Sequence, residues 1–463
     1  MTLLETYIKF TKEWNLCFKQ TRTLFRFIRQ SLASLCTPGR KTITQAISFL
    51  CRDHLSWSSE YKLHSRSQWE SEKLFQPIIN KTVQYFSSNG FIAVAVDDTR
   101  MKKVGKKIPY AQYYRDPLSP PFHTNFIYGL RMLQASAILP LYKLAKGENT
   151  SPRGIPVRFT NVPVVKKPGK KATEAEKQNY LKMKKEHNLS IATLDILKDI
   201  RKSYDMAGAK DKPIIYACDG SFCNRTMVTA QLDRCYILAR ARKDAKLCFP
   251  ANEGSRRIYS ENKFTPENVR QDKSVSWKSS KVLSGGTYRK TKYKEVKNIF
   301  WQRGARNKPL RLVVIAPTPY KTTKNGKTYY RDAAYLLTTN MNISTQRLVQ
   351  AYFDRWEIEV NHRDEKTILG VGEAQVRNPF SVLKQPAAIV ASYSMLLLAA
   401  LSCFGPHRKD SYLPLPKWRR KARRPSCQDM VNLLRKELTE NKKCVSELDV
   451  DIDPIISLIK SAA

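Results

Sequence analysis

Two short runs constrain this chain more than anything else in it. GFIAVAVDDT (residues 90–99) and KPIIYACDG (212–220) are each an unbroken apolar stretch that ends in acid. A strand that is apolar at every position is buried on both faces, as in a parallel sheet covered by helices. The class that follows is α/β. FIYGLRMLQAS (126–136) and AILPLYKLA (137–145) read as further strands, and RCYILARARKD (234–244) as a third buried one.

Around these strands the texture changes several times. Residues 1–88 read as helical: apolar positions recur at helical spacing in TRTLFRFIRQSLASL, CTPGRK makes a turn, and TITQAISFLCRDHL resumes the period. Arg22, Arg26, Arg29, Arg40 and Lys41 decorate this unit. That suits a helix-turn-helix on DNA and suits an ordinary bundle with a solvated basic face equally well. Residues 89–244 hold the buried strands. Within them, 151–187 reads as a basic, proline-containing loop and then a helix that continues through SIATLDILKDIRKSY. Residues 245–342 alternate polar and apolar and carry hairpin signals, SGG and Asn325-Gly326, so they read as a β-rich insertion. A helix is expected to begin near Thr345 within 343–404, and 405–463 reads as a basic tail.

The charge points to a partner. Lys and Arg number 82 against 40 Asp and Glu, a formal charge of +42 spread over all 463 residues. Such an excess suits a polyanion, most often nucleic acid. Ten cysteines without a CxxC pair suggest free thiols in a reducing cytoplasm, and six dispersed histidines argue against a zinc site. The opening residues do not read as a signal peptide, because Glu5 and Lys9 interrupt the apolar pattern. PAAIVASYSMLLLAALSCF (386–404) is nearly long enough to span a bilayer, but its Ser and Ala suit a closely packed buried helix better.

The chemistry concentrates in AYFDRWEIEVNHRDEKTILG (351–370). Tyr352, Arg355, Glu359 and Lys366 stand at offsets 0, 3, 7 and 14, which places them on one helix face. A carboxylate beside a guanidinium, an ammonium and a phenol suits a metal ion next to a phosphate. The strand-end acids Asp97-Asp98 and Asp219 would add the remaining carboxylates, since sites form at the strand ends of open α/β sheets. Strand-end Asp also caps turns, and Glu359 alone can be a surface ion pair. Together, two strand-end acids and a late acidic helix suggest a ribonuclease-H-like core.

These segments resemble the insertion-sequence transposases of the DDE class. More narrowly, the chain is similar to the insertion-sequence-four superfamily and its seven-oh-one-like branch. AVDDT, ACDGSFCNRT, LARARKDAKL, LRLVVIAPTPY and RWEIEVNHRDEKTILGVGEAQVRNP carry the resemblance, with the complete Tyr-x2-Arg-x3-Glu-x6-Lys spacing. The resemblance implies a ribonuclease-H-like catalytic core interrupted by the β-rich insertion, with a helical N-terminal DNA-binding domain. It implies Asp98, Asp219 and Glu359 as catalytic metal ligands for two Mg²⁺ ions, with Mn²⁺ as a substitute. Asp98 is chosen because it directly precedes Thr99; Asp97 is the rival. Tyr352, Arg355 and Lys366 would grip DNA. The function implied is cleavage at terminal inverted repeats and strand transfer into target DNA, by a homodimer on paired ends, in a prokaryotic cytoplasm at the nucleoid.

Other residues carry two readings each. His362 shares the face of Glu359 and suits the cut phosphate, the orientation of Glu359, or a plain surface. Asn224 and Arg225 suit DNA or a turn. Arg240, Arg242 and Lys243 follow a buried strand and suit phosphates. Trp301 suits a distorted base or the strand core, and Trp356 the core. The run KWRRKARR (417–424) suits DNA or solvent. Gly326-Lys327-Thr328 imitates the end of a phosphate loop, but position 321 is Lys and the context is a hairpin, so no nucleotide cofactor is expected. The competing functions are a ribonuclease-H-like nuclease without strand transfer and a non-catalytic DNA-binding protein derived from a transposase.

Overall fold

The computed structural model describes residues 1–116, 119–120, 122–143, 150–323, 325–419 and 422–441. The chain is mixed α/β, with one large mixed sheet and helices on both of its faces. Five helices open it: α1 (Leu3–Thr11), α2 (Thr21–Cys36), α3 (Ile43–Phe49), α4 (Ser58–Ser65) and α5 (Phe75–Val83). Thr2 and Glu5 form a capping box on α1, and Thr42 caps α3. Phe27 packs against Trp14, Phe18 and Trp69. The basic residues behave differently from a DNA-facing stripe. Arg26 and Arg29 turn inward to Glu60, and the Lys41 ammonium donates to the Leu35 and Thr37 carbonyls. Of the five that decorate this unit, only Arg22 and Arg40 are exposed.

The sheet begins with β1 (Ile92–Lys102), β2 (Gln112–Arg115), β3 (Phe126–Leu139) and β4 (Arg153–Asn161). Helices α6 (Glu174–Glu186) and α7 (Leu189–Met206) follow, then β5 (Ile214–Cys218), α8 (Arg225–Thr229) and β6 (Cys235–Arg240). β1 pairs antiparallel with β3 and parallel with β5, and β5 pairs parallel with β6. On its outer side β3 pairs with both β2 and β4.

Residues 126–139 form one strand and not two. The loop expected at 151–159 is β4, an edge strand whose Pro156 sits at a register shift. An edge position with a bulge tolerates proline, and that hid the strand. The long helix expected after 173 breaks at Asn188, whose side chain accepts from the Ile191 amide at 3.1 Å and starts α7.

The insertion contributes the hairpin β7 (Leu247–Pro250) and β8 (Tyr259–Phe264), then α9 (Pro266–Gln271), β9 (Lys278–Ser284), β10 (Thr287–Ile299), α10 (Gln302–Ala305) and β11 (Leu310–Ile315). The hairpin β12 (Thr318–Lys321) and β13 (Thr328–Arg331) precedes β14 (Ala334–Thr338). β14 pairs with β6, so the insertion prolongs the main sheet through β11, β10 and β9.

Then come α11 (Thr345–Asp354), α12 (Glu357–Thr367), α13 (Pro379–Phe404) and α14 (Cys427–Glu440). α13 is long and apolar enough to cross a membrane, yet nearly all of it from Ser381 to Leu401 is buried. It packs against β4 and the opening helices, so residues 1–88 and the sheet share one apolar core. A second cluster, with Ala93, Ala95, Ile215, Leu348 and Ile358, places α11 and α12 on the other face. Within the run 417–424, Arg419 pairs with Asp429 and Arg424 with Glu357 of α12; positions 420 and 421, like 442–463, lie outside the described residues.

Candidate active site

The parallel ladder between β1 and β5 runs from Ile92↔Ile214 to Val96↔Cys218. One residue further, Asp97 and Asp219 stand side by side. Asp219 directly follows the end of β5, but β1 runs past Asp97 to Lys102 as the partner of β3, so the expected strand end at Asp97-Asp98 is corrected to the end of the parallel pairing. In-register neighbours on parallel strands face the same way, and Asp97 and Asp219 continue the row of Ala95, Ala93 and Ile215 under α11 and α12. Gln134, opposite Asp97 on β3, confirms this direction: its amide donates to Glu365 of α12 at 2.9 Å.

Asp98 faces the other way. It pairs with Arg100 on its own strand, and Arg131 on β3 also feels its charge. The expectation that Asp98 joins Asp219 and Glu359 is therefore corrected by the period-two alternation of a strand. The residue beneath the helix is Asp97. Burial pushes the Asp97 carboxyl up to about 7; Arg355 opposes the rise, while Asp98 and Asp219 add to it.

The helix carrying the Tyr/Arg/Glu/Lys stripe is two helices. At the junction the Ile358 and Glu359 amides bond three residues back, to the Arg355 and Trp356 carbonyls, each at 3.1 Å. This tight step keeps the stripe on the sheet side and turns Trp356 outward, 58 % exposed, where core packing was expected. Glycine lets α12 approach β4: a Cβ on Gly154 would stand 2.7 Å from Asn361 Oδ1 and 3.0 Å from Glu357 Cβ.

Arg355 donates to Glu359 at 3.1 Å. Tyr352 lies within the field of Arg240, Arg355, Asp219 and Glu359, and burial raises its phenol. Lys366 comes next along the stripe. The surrounding protein lowers its ammonium against the pull of Glu365, with Arg100 and Lys102 lowering it further and Asp97 opposing. His362 is buried and its Nε2 has no hydrogen-bond partner. Burial, then Lys366 and Arg355, push it down to about 3, so at neutral pH it is an uncharged imidazole and not a cationic phosphate ligand.

Asn224 is committed to structure. Its Oδ1 accepts from the Met227 amide at 3.2 Å, and its Nδ2 donates to Ser190 Oγ at 2.9 Å and to the Ser221 carbonyl at 3.0 Å. Arg225 is exposed at the start of α8. Arg242 is exposed and pairs with Asp244 at 2.7 Å.

Both Arg242 and Trp301 line an open cleft of ≈ 1420 Å³ whose walls also include Asp219, the Arg240–Lys246 segment and Tyr330 and Arg331 of the β12–β13 hairpin. The indole of Trp301 lies on Gly304, where a Cβ would come within 2.0 Å of the ring. Lys246, Arg270, Arg303 and Arg331 line the same cleft and were not singled out from sequence. Their scatter over four elements left no local pattern to find.

The carboxylates are an all-oxygen donor set suited to a hard divalent cation. Asp97 and Asp219 are adjacent, and Glu359 faces them across Arg355. Among the described residues no three His, Cys, Asp or Glu side chains are grouped closely enough to form a ready metal site. No family model matches the chain, and no curated protein matches it.

Proposed function

We propose that the chain is a DDE-class DNA transposase that cuts at the terminal inverted repeats of a mobile element and joins the freed end to target DNA. One observation carries the reading: Asp97 within β1 and Asp219 just past β5 lie side by side on adjacent parallel strands, on the face covered by α11 and α12, whose junction bears Arg355 and Glu359. The strand order β4-β3-β1-β5-β6, antiparallel over the first two pairings and parallel over the last two, supports a ribonuclease-H-like core. The +42 charge and the basic cleft support DNA as the substrate.

In this mechanism Asp97, Asp219 and Glu359 would hold two Mg²⁺ ions, or Mn²⁺ in their place, which supply Lewis-acid activation of the attacking oxygen and charge for the leaving one. Arg355 offers a bidentate fork and Lys366 a point charge to the phosphates beside the cut. Water breaks the phosphodiester at the element end and leaves a 3′-hydroxyl. That hydroxyl attacks a target phosphodiester, forming one P–O bond as another breaks. Two copies on paired ends would make the two joins.

A non-catalytic DNA-binding protein is favoured by one observation, the Arg355–Glu359 pair that already occupies the third carboxylate. Incubation of the full chain with Mg²⁺, a fragment carrying the DNA ends that flank its gene, and a target plasmid separates the readings. Cut ends joined to the plasmid support the transposase. Cut ends that never join leave a nuclease, and binding without cutting leaves the non-catalytic protein.

A further inference from the structure

The β12–β13 hairpin has no evident structural reason for its surface. Its two four-residue strands pair only with each other. A two-stranded ribbon of this size is marginal alone, and here it carries three exposed tyrosines, Tyr320, Tyr329 and Tyr330. The register places Tyr320 opposite Tyr329, with ring centroids 5.7 Å apart and planes tilted by 32°. The Arg331 guanidinium covers the Tyr320 ring at 5.6 Å. On the opposite face Tyr330 stands across from Pro319, beside Lys321, and is 67 % exposed. Residues 318–332 carry Lys321, Lys324, Lys327 and Arg331 against a single acid, Asp332.

Position gives this surface a meaning. Tyr330 and Arg331 line the same cleft as Asp219, Arg240, Arg242 and Trp301. A nucleic-acid strand lying in that cleft can meet the hairpin as well as the acid. Cations along the cleft suit phosphates. A bare aromatic face in it has nothing to do for a duplex backbone, but any unstacked base can lie on it.

We propose that the hairpin is a second DNA contact, in which Tyr330 stacks an unpaired base of the strand leaving the acidic site while Arg331 and Lys321 hold its phosphates. This rests on the DNA substrate of the proposed function.

Binding of the full chain to two probes tests it: the element end as a blunt duplex, and the same duplex with a single-stranded extension. The wild type should prefer the extended probe. Tyr330→Ala should lose about tenfold in affinity for that probe and little for the blunt one. Tyr330→Phe, which keeps the ring, should bind both as the wild type does. Lys321→Ala with Arg331→Ala should weaken both probes and flatten the salt dependence. Thermal unfolding should be unchanged throughout, because these side chains lie on the surface. Equal loss on both probes in Tyr330→Ala would make the hairpin a duplex contact and overturn the stacking role. No loss on either, with element ends still cut, would overturn the contact altogether, as with a surface meant for a protein. A wild type that binds neither probe and cuts nothing would remove the transposase reading, and this proposal with it.

Discussion

Two places in this molecule surround buried carboxylates with arginine, and they do so to different ends. In the opening helices Glu60 is almost completely buried and three guanidinium groups reach it, Arg29 at 3.3 Å, Arg26 at 3.6 Å and Arg52 at 3.7 Å. The Gln30 amide adds a hydrogen bond at 2.8 Å. Beneath α11 and α12, Asp97 and Glu359 share Arg355, with Lys366 beyond it and Arg240 lining the cleft beside Asp219. The first cluster is saturated and leaves no valence for a ligand. In the second, Arg355 pairs with Glu359 while, among the described residues, neither Asp97 nor Asp219 is held in an ion pair, and burial holds Asp97 up to about 7. Buried charge compensated within the chain is structure; buried charge left short of compensation is where an outside cation is worth most.

The contrast is sharpened first by removing one glutamate from each cluster. Glu359→Gln should lower cleavage of element ends by more than about 10²-fold, the scale that even a supporting residue of a metal site costs. Its unfolding midpoint should stay near the wild type, since only the half-exposed Arg355 pair is lost. Glu60→Ala should behave in the reverse sense. It strands three arginines against the core and should cost about 3–5 kcal/mol in chemical denaturation. Equal destabilisation by both substitutions would erase the distinction.

A pH series probes the second region further. Burial raises the Glu365 carboxyl to about 8, while the Gln134 amide pulls it down. The folded chain therefore keeps a proton that the unfolded chain releases near its ordinary value, so this group's stabilisation is full at low pH. It is lost as pH rises from about 4.5 to about 8. Against Glu365→Gln, which has no proton to lose, the wild type should weaken over that window by on the order of 5 kcal/mol. Parallel stability curves for the two proteins would contradict the assignment. The smallest effect belongs to Asp98→Asn, which removes the charge of a partly buried ion pair with Arg100 but keeps a polar side chain of the same shape there. It should change stability by less than about 1 kcal/mol.

Much of the fold could be read from the chain because its signals are local. The apolar runs before Asp97 and Asp219 are β1 and β5, and Thr345 does begin a helix. What escaped reading depended on partners distant in sequence. β4 was masked by Pro152 and Pro156, which are harmless on an edge. Arg26, Arg29 and Lys41 suited a DNA face and a solvated face equally, and neither reading had them turned inward, because nothing nearby in sequence announces Glu60 or the carbonyls that Lys41 meets. At the site, the spacing of Tyr352, Arg355, Glu359 and Lys366 was legible, but the choice between Asp97 and Asp98 was not. Two adjacent acids differ only in which face of β1 they leave, and that is decided by the register with β3 and β5. The cleft lining was beyond reach for the same reason, since it draws on four separate elements.

The central claim is that Asp97, and not its neighbour, completes the site with Asp219 and Glu359. The direct test is Mg²⁺-dependent cleavage of an element end by Asp97→Ala and Asp98→Ala side by side, with both proteins shown to be folded. Asp97→Ala should cut nothing while Asp98→Ala should retain most of the wild-type rate. Cleavage that survives Asp97→Ala and vanishes in Asp98→Ala would contradict it, and would mean that the strand turns its other face to the DNA.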